Sequence, residues 1–488
     1  MGGTITCPRV AVIGAGASGV AAAAHLLVEG IDVVVFEKAR VTGGVWVFDP
    51  RRPPDPPYPN LKASACYESL RTNAPTPLIE MSLNSWSPDT ELYARHSVVV
   101  DYIRQTAAKT GVDKTILHNT KVDSVTKDQE TWRVRTSTWD TTAEVVSQEW
   151  GFDAVVVATG HYHAPYIPDI PGLAQWKEAW PDRVQHSKGY RSNKEFQDQV
   201  PVVWIAQWPK NDTEHCLQVV LLVGAGASAV DIASELGPCA KKIWQSTRGS
   251  TTDHPLEMLP VNATRVAEIA SFGPLHSEAA SSAGPIPGKI TLVDGQILEG
   301  IDKVVMCTGY LFSLPFLARH HNDNLSAGEA GPDVLVTDGS QIHNLHEDIF
   351  YVPDPTLAFV GVPTDVASFS LFEFQAIAIA AVFSGQTMLP SEEDMRTQYD
   401  ERVKDRGTGK RFHSLLKKDV AYAAELMEWV NRGRPPTKRK SNGYSKEWLD
   451  RRATFIQRYK GKGGHLKADS TRLRIKDTWM EETGGKSP

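Results

Sequence analysis

Residues 221–237 read LLVGAGASAVDIASELG, and residues 10–26 read VAVIGAGASGVAAAAHL. Each begins with a short apolar run, passes through Gly-Ala-Gly-Ala-Ser, and continues into an Ala- and Leu-rich stretch, the order expected of strand, tight turn and helix. In the first copy Gly14 makes the turn, Gly16 lets backbone N–H groups approach a pyrophosphate, and Gly19 lets the helix pack close to the strand, with Ala15, Ala17 and Ser18 completing the loop. In the second copy Gly224, Ala225, Gly226, Ala227, Ser228 and Ala229 repeat the pattern. Ala229 stands at the packing position, where alanine is admitted. One chain therefore carries two dinucleotide-binding turns.

The residues that follow separate the copies. A second strand, Ile31 to Phe36, ends in Glu37, 23 residues after Gly14, where a carboxylate accepts hydrogen bonds from a ribose 2′-OH and repels a 2′-phosphate. That selects an unphosphorylated adenosine, FAD or NAD. In the second copy Arg248 stands 24 residues after Gly224, preceded by Ser246 and Thr247. A guanidinium fork holds a phosphate, so this site is expected to choose NADPH over NADH; the alternative is a surface arginine at a strand end. The repeat continues in Phe152–His161 and Ile301–Tyr310, each an acid, a buried-strand run and a Thr-Gly turn. Thr159 and Gly160 join the cofactor candidates, and the two turns read as paired crossings between domains.

The expected fold is α/β, with two nested Rossmann-like domains, the NADPH domain inserted into the FAD domain. The boundaries read as 1–165 for the first part of the FAD domain, 166–330 for the NADPH domain, 331–433 for the return to the FAD domain, and 434–488 for a basic tail. The chain's 488 residues suit this, and 41% apolar with 23% charged residues is ordinary globular usage. The net charge is −6. It divides unevenly, since residues 434–488 hold 15 Lys/Arg against 6 Asp/Glu, or +9, which leaves −15 for the rest. An acidic body argues against nucleic acid, and the tail's dispersed charge reads as solvated and partly ordered. No stretch has the length and apolarity of a membrane span. Five cysteines without metal-like spacing suit reduced thiols in a cytoplasmic enzyme, with no metal site and no CxxC pair to receive electrons.

Further motifs give the chain a family resemblance. Glu37 followed by Gly43, Gly44, Val45 and Trp46 is similar to the E-(x)n-GG-x-W signature of flavoprotein monooxygenases, which implies FAD in the first site. Tyr67–Pro75, YESLRTNAP, resembles the YxxLxTNxP segment of the flavin-containing monooxygenase family, and Trp180–Tyr190, WPDRVQHSKGY, resembles its FxGxxxHxxxY identifier, with Trp180 and Asp182 departing from it. Thr308-Gly309-Tyr310 matches its TGY. The resemblance spans about residues 9 to 385. It implies reduction of FAD by NADPH, a C4a-hydroperoxyflavin kept alive in a dry pocket, and transfer of one oxygen of O2 to a soft nitrogen or sulfur of a small metabolite, in a fungal-type biosynthetic pathway. It places Asn73 beside the flavin, where an amide donates without titrating, and makes His186 and Tyr190 further catalytic candidates, His186 reading more as an interface residue than as a proton carrier. Gln375 lies in an apolar helix, Ser370 to Phe383, whose N-terminus is expected to face the flavin pyrimidine; a plain core helix reads equally well.

Three alternatives stay open at this level: Baeyer–Villiger oxidation of a ketone, a catalytically silent flavin-binding protein, and a homodimer against a monomer. Residues 200–218 fit no family pattern. The segment begins with valine, whose codons open on GT, and ends with glutamine, which CAG encodes, so it reads as a translated intron or else as a Trp-rich loop beside the second site.

Overall fold

The computed structural model describes residues 5–51, 64–139, 145–196, 218–250, 253–275, 284–436 and 440–459. Apart from Gln218, the segment 200–218 lies outside them.

Each glycine-rich turn follows an interior strand that has a parallel neighbour on both sides. The first strand, Arg9–Ile13, pairs with Asp32–Phe36 on one side and Ala154–Val157 on the other. The full order is Leu345–His346, Phe350–Tyr351, Leu357–Phe359, Ala154–Val157, Arg9–Ile13, Asp32–Phe36 and Ile116–Leu117. The second sheet runs Ala263–Val266, Lys242–Ser246, Val219–Val223, Lys303–Met306 and Val184–His186, parallel throughout. All strands of the second sheet fall between two sets of strands of the first, so the second domain is nested inside the first.

Alternation of side chains along each of these interior strands explains the layering. Val10 and Val12 enter the core built with the helices Ala17–Val28 and Ser368–Phe383, whereas Ala11 and Ile13 enter a second core with Val122, Trp132 and Val134. That second core is covered by the antiparallel sheet Thr120–Asp128, Thr131–Trp139 and Val145–Phe152. The inserted domain repeats the scheme. Val220 and Leu222 pack with the helix Ala227–Leu236, and Leu221 and Val223 pack with the small sheet Ile269–Phe272, Ile290–Leu292 and Ile297–Leu298.

The crossings pair with each other. Ala164–Pro165 runs antiparallel to Tyr310–Leu311, and the Tyr166 amide donates to the Gly309 carbonyl at 2.9 Å. The basic C-terminal stretch is not uniformly solvated. Its helix Lys446–Tyr459 lays Trp448 against the first domain, where the indole N–H donates to the Leu78 carbonyl at 3.1 Å and the ring stacks on Tyr444 at 3.8 Å. Among the described residues no helix is long and apolar enough to cross a membrane.

Candidate functional site

The two turns are held in the same way. The Gly14 amide donates to Phe36 and the Gly224 amide to Ser246, both at 2.8 Å. Asp153 accepts from the Arg9 amide at 2.8 Å and Asp302 from the Val219 amide at 2.7 Å, so the acid that opens each Thr-Gly run aligns the neighbouring strand. Gly14 has φ +106° and Gly224 φ +119°. A Cβ there would stand 2.6 Å from the Ala158 oxygen in one case and 2.4 Å from the Cys307 oxygen in the other, so only glycine fits at either position.

The first turn is closed by the chain's own backbone. A Cβ on Gly19 would lie 1.8 Å from the Gly14 oxygen, which is how close helix and turn come. Gly16 faces Gly44, and a Cβ on Gly44 would come within 2.9 Å of Gly16 Cα. The Gly43 amide donates to the Ala15 carbonyl at 3.0 Å, fastening the GG loop to the turn. Glu37 is buried, and its two oxygens accept from the Ala15 and Ala39 amides, each at 2.7 Å. Thr159 Cα stands 3.5 Å from where a Gly14 Cβ would be, bringing the crossing to the turn; Gly160 beside it has φ +66°. Val45 is exposed, and Trp46 meets Phe369, at the start of helix Ser368–Phe383, edge to face at 6.3 Å. The helix Ala17–Val28 starts at Gly16 with no side-chain cap. Uncapped N–H groups behind a side-chain-free cradle suit the diphosphate of FAD.

The second turn is open. Among the described residues nothing stands within 4 Å of a Cβ placed on Gly226, and helix Ala227–Leu236 again lacks a side-chain cap. Ala229 is fully buried and fits the packing position. The Arg248 side chain is 71% exposed, its Nε 4.0 Å from Glu268, so the guanidinium is held only loosely by the protein. This arrangement suits the diphosphate and 2′-phosphate of NADPH.

Between the turns lie the two motif segments. Tyr67 donates to Asp231 at 2.6 Å and Tyr190 to Glu235 at 2.7 Å, both acids on helix Ala227–Leu236, while Ser69 donates to Glu235 as well. The Glu68 amide donates to the Arg191 carbonyl at 2.9 Å, joining the segments. Asn73 follows on the same stretch, tied down by the Thr72 amide donating to Ala94 at 3.0 Å. The Asn73 side chain is exposed and makes no hydrogen bond among the described residues, which leaves both ends of its amide available.

His186 and Tyr190 are occupied otherwise. His186 is buried; Nε2 donates to the Gly309 carbonyl at 3.0 Å and Nδ1 accepts from the Lys188 amide at 3.0 Å. Burial pushes its pKa down to about 3, so the ring is neutral and both nitrogens serve the second crossing. Tyr190 is fully buried, its phenol held well above the ordinary pKa by burial and by the Glu235 carboxylate it donates to. Gln375 is fully buried too, accepting from the Gly361 amide at 2.9 Å and donating to Tyr422 at 3.1 Å, so it fixes the Gly361 loop from within the protein.

Lys188 is not singled out by the motif, which passes over it as a spacer between His186 and Tyr190. It is buried with its Nζ donating to the His163 carbonyl at 2.5 Å, and burial, Lys38 and Arg191 push its pKa down to about 7. Arg191, also buried, spends its donors on the carbonyls of Arg51, Lys188, Tyr190 and Ser64. Among the described residues neither Lys188 nor Arg191 makes an ion pair with a carboxylate, although Asp49 and Glu195 act on Arg191 from a distance, and buried cations so placed favour an anion. The signal available in sequence is two cations, Lys188 and Arg191, within a four-residue stretch of the identifier motif.

A family model described as flavin-binding monooxygenase-like matches residues 7–253 and 288–436. The flavin-containing monooxygenase ustF2 of Aspergillus flavus is 38% identical over 501 residues, covering 93% of this chain and 98% of that protein. The flavin-containing monooxygenase iboF of Amanita muscaria is 31% identical over 478 residues, covering 83% and 84%. Among solved structures, the S-allyl-L-cysteine S-oxygenase of Allium sativum superposes with a TM-score of 0.71 at 25% identity, over 98% of this chain and 99% of that one.

Proposed function

Since the chain belongs to the flavin-binding monooxygenase-like family and is a flavin-dependent monooxygenase with FAD and NADPH as cofactors, we propose that it oxygenates a soft sulfur or nitrogen of a small metabolite. For sulfur the balance is thioether + O2 + NADPH + H+ → sulfoxide + H2O + NADP+. The chemistry supplied by bound FAD is the relay of two electrons from NADPH to O2. The observation that supports sulfur is the likeness, over nearly the full length of both chains, to a solved enzyme named as an S-oxygenase.

The chain's own residues do the rest. Gly14, Gly16, Gly19 and Gly44 shape the diphosphate cradle of a resident FAD, whose ribose Glu37 receives. The open turn at Gly224–Ala229 takes an exchanging NADPH, and Arg248 reads its 2′-phosphate. Lys188, with Lys38 and Arg191, supplies positive charge for dinucleotide phosphates where the domains meet. Asn73 presents its amide toward the reacting edge without titrating. His186, Tyr190 and Gln375 are positioning residues, holding the second crossing, the second helix and the Gly361 loop. Relatives from the fungi Aspergillus flavus and Amanita muscaria are in keeping with a place in a fungal biosynthetic pathway, and Cys7, Cys66 and Cys307, free thiols among the described residues, support a reducing compartment.

The test is turnover with NADPH and 18O2 on methyl p-tolyl sulfide, N,N-dimethylaniline and cyclohexanone. A sulfoxide or N-oxide carrying one 18O is expected. Lactone from the ketone, or H2O2 equal to the NADPH consumed with no oxygenated product, would overturn the reading.

A further inference from the structure

A cavity lies at the far edge of the first sheet, four strands away from the Arg9–Ile13 strand that carries the first turn. It has a volume of about 280 Å3 and is walled by the Leu345–His346 to Phe350–Tyr351 hairpin and the helices Glu392–Arg406 and Asp419–Gly433. Charged groups of both signs line it: Glu347, Asp348 and Glu425 against Arg402, Arg406 and Lys418.

Part of this charge is matched within the protein. Asp348, fully buried, accepts from Arg402 Nη2 and from His413 Nδ1, the latter at 2.7 Å, and His413 Nε2 accepts from the Ile342 amide at 3.1 Å. Several donors and acceptors are left over. Asp348 Oδ2, Arg402 Nε and Arg406 Nε are buried and have no partner among the described residues, although Arg406 Nη1 donates to the Phe412 carbonyl at 3.1 Å. Among the described residues Glu347 and Glu425 make no ion pair with Arg406 or Lys418 across the cavity; Lys418 instead stands 3.8 Å from Asp405, on the outside. The hairpin holding Glu347 and Asp348 is bent into place at a cost, since Asn344, Glu347 and Asp348 adopt φ of +58°, +54° and +56°. Burial raises the Glu347 carboxyl above the ordinary range and outweighs the pull of Arg402, which is already committed to Asp348.

Two buried guanidinium Nε–H groups without a partner among the described residues, with the half-buried Glu347 and the exposed Glu425 facing the same small volume, call for a ligand that carries both charges. A lone anion would face the glutamates, and a lone amine would face the arginines. We propose that this cavity binds a free α-amino acid, its carboxylate on Arg402 and Arg406 and its ammonium on Glu347 and Glu425. The site adjoins the catalytic domain's interior, because Tyr422 at its back wall donates to the Glu347 carbonyl at 2.6 Å and accepts from Gln375, which holds Gly361.

Calorimetry on the full chain with FAD bound tests this, with L-leucine, isopentylamine, which lacks the carboxylate, and 4-methylpentanoate, which lacks the ammonium. Leucine is expected to bind once per chain, and each singly charged analogue at least about tenfold more weakly. E347Q and R406Q are each expected to weaken leucine by a similar factor while FAD content stays at the wild-type level. E425Q, at an exposed side chain placed on the ammonium, is the substitute if either variant fails to fold, with a smaller loss of leucine affinity expected. No saturable leucine binding, analogues that bind as tightly as leucine, or folded variants that bind it as well as wild type would each overturn the proposal.

Discussion

The two glycine-rich turns begin from nearly the same words and end as different devices. Both clamp the first glycine against the end of the strand that leads to the Thr-Gly turn, and in both an aspartate ahead of that strand ties it to the glycine's own strand. The first then fills its surroundings with its own backbone: Gly44 against Gly16, Gly43 on Ala15, and a buried Glu37 on two amides. Among the described residues the second leaves Gly226 bare and its Arg248 largely exposed. On the proposed assignment of the two turns, the site walled by the protein keeps its nucleotide and the one whose main charge stands free exchanges it. That contrast is what a flavoenzyme fed by a diffusing reductant requires.

The largest expected effect comes from adding one methyl to the closed turn. Gly19→Ala drives a Cβ into the Gly14 carbonyl, and should cost about 3 kcal/mol or more and yield chains without flavin, read as the FAD-to-protein absorbance ratio and the unfolding midpoint. The reciprocal change, Ala229→Gly, should leave FAD content intact. Removing the charge of the open turn comes next: Arg248→Ala should raise the KM for NADPH about 10- to 100-fold while leaving that for NADH unchanged. An equal loss for both nucleotides would break the contrast between Glu37 and Arg248.

Lys188 gives a smaller, pH-dependent effect. Its pKa is lowered from 10.5 to about 7, so the unfolded chain holds this proton where the folded chain has lost it, and apo stability gains from this group as pH rises across that window. Phosphate binding needs the charged form. NADP+ affinity should therefore fall as pH rises through about 7, by up to about tenfold per unit, and Lys188→Met should flatten that slope while lowering affinity at about pH 6. The smallest effect belongs to Ala229→Gly itself, at about 1 kcal/mol of stability from a glycine within a helix.

What is legible in the sequence is local. The three-glycine spacing, Glu37, the GG loop and the doubled Thr-Gly turn each carry their reason within a few residues, and from them follow both sheets and their nesting. The covering β-layers are not visible in the turns, and the partners of the motif residues lie far along the chain. Tyr190 meets Glu235, His186 meets Gly309 and Gln375 meets Tyr422. A histidine or glutamine set in a motif looks the same in sequence whether its nitrogens face a ligand or a backbone carbonyl. Lys188 is only faintly legible in the sequence: Arg191 stands three residues away, but the approach of Lys38 is revealed only by the fold. The helix Lys446–Tyr459 is hidden in a similar way, its buried Trp448 set in a run whose charge reads as a solvated tail.

The most direct test of the asymmetry is bound-nucleotide stoichiometry after gel filtration of protein saturated with FAD and NADP+. The account predicts about one FAD per chain retained and the NADP+ left behind, with the flavin of Gly19→Ala lost at the same step. Retention of NADP+ with loss of FAD, or loss of both together, would contradict it.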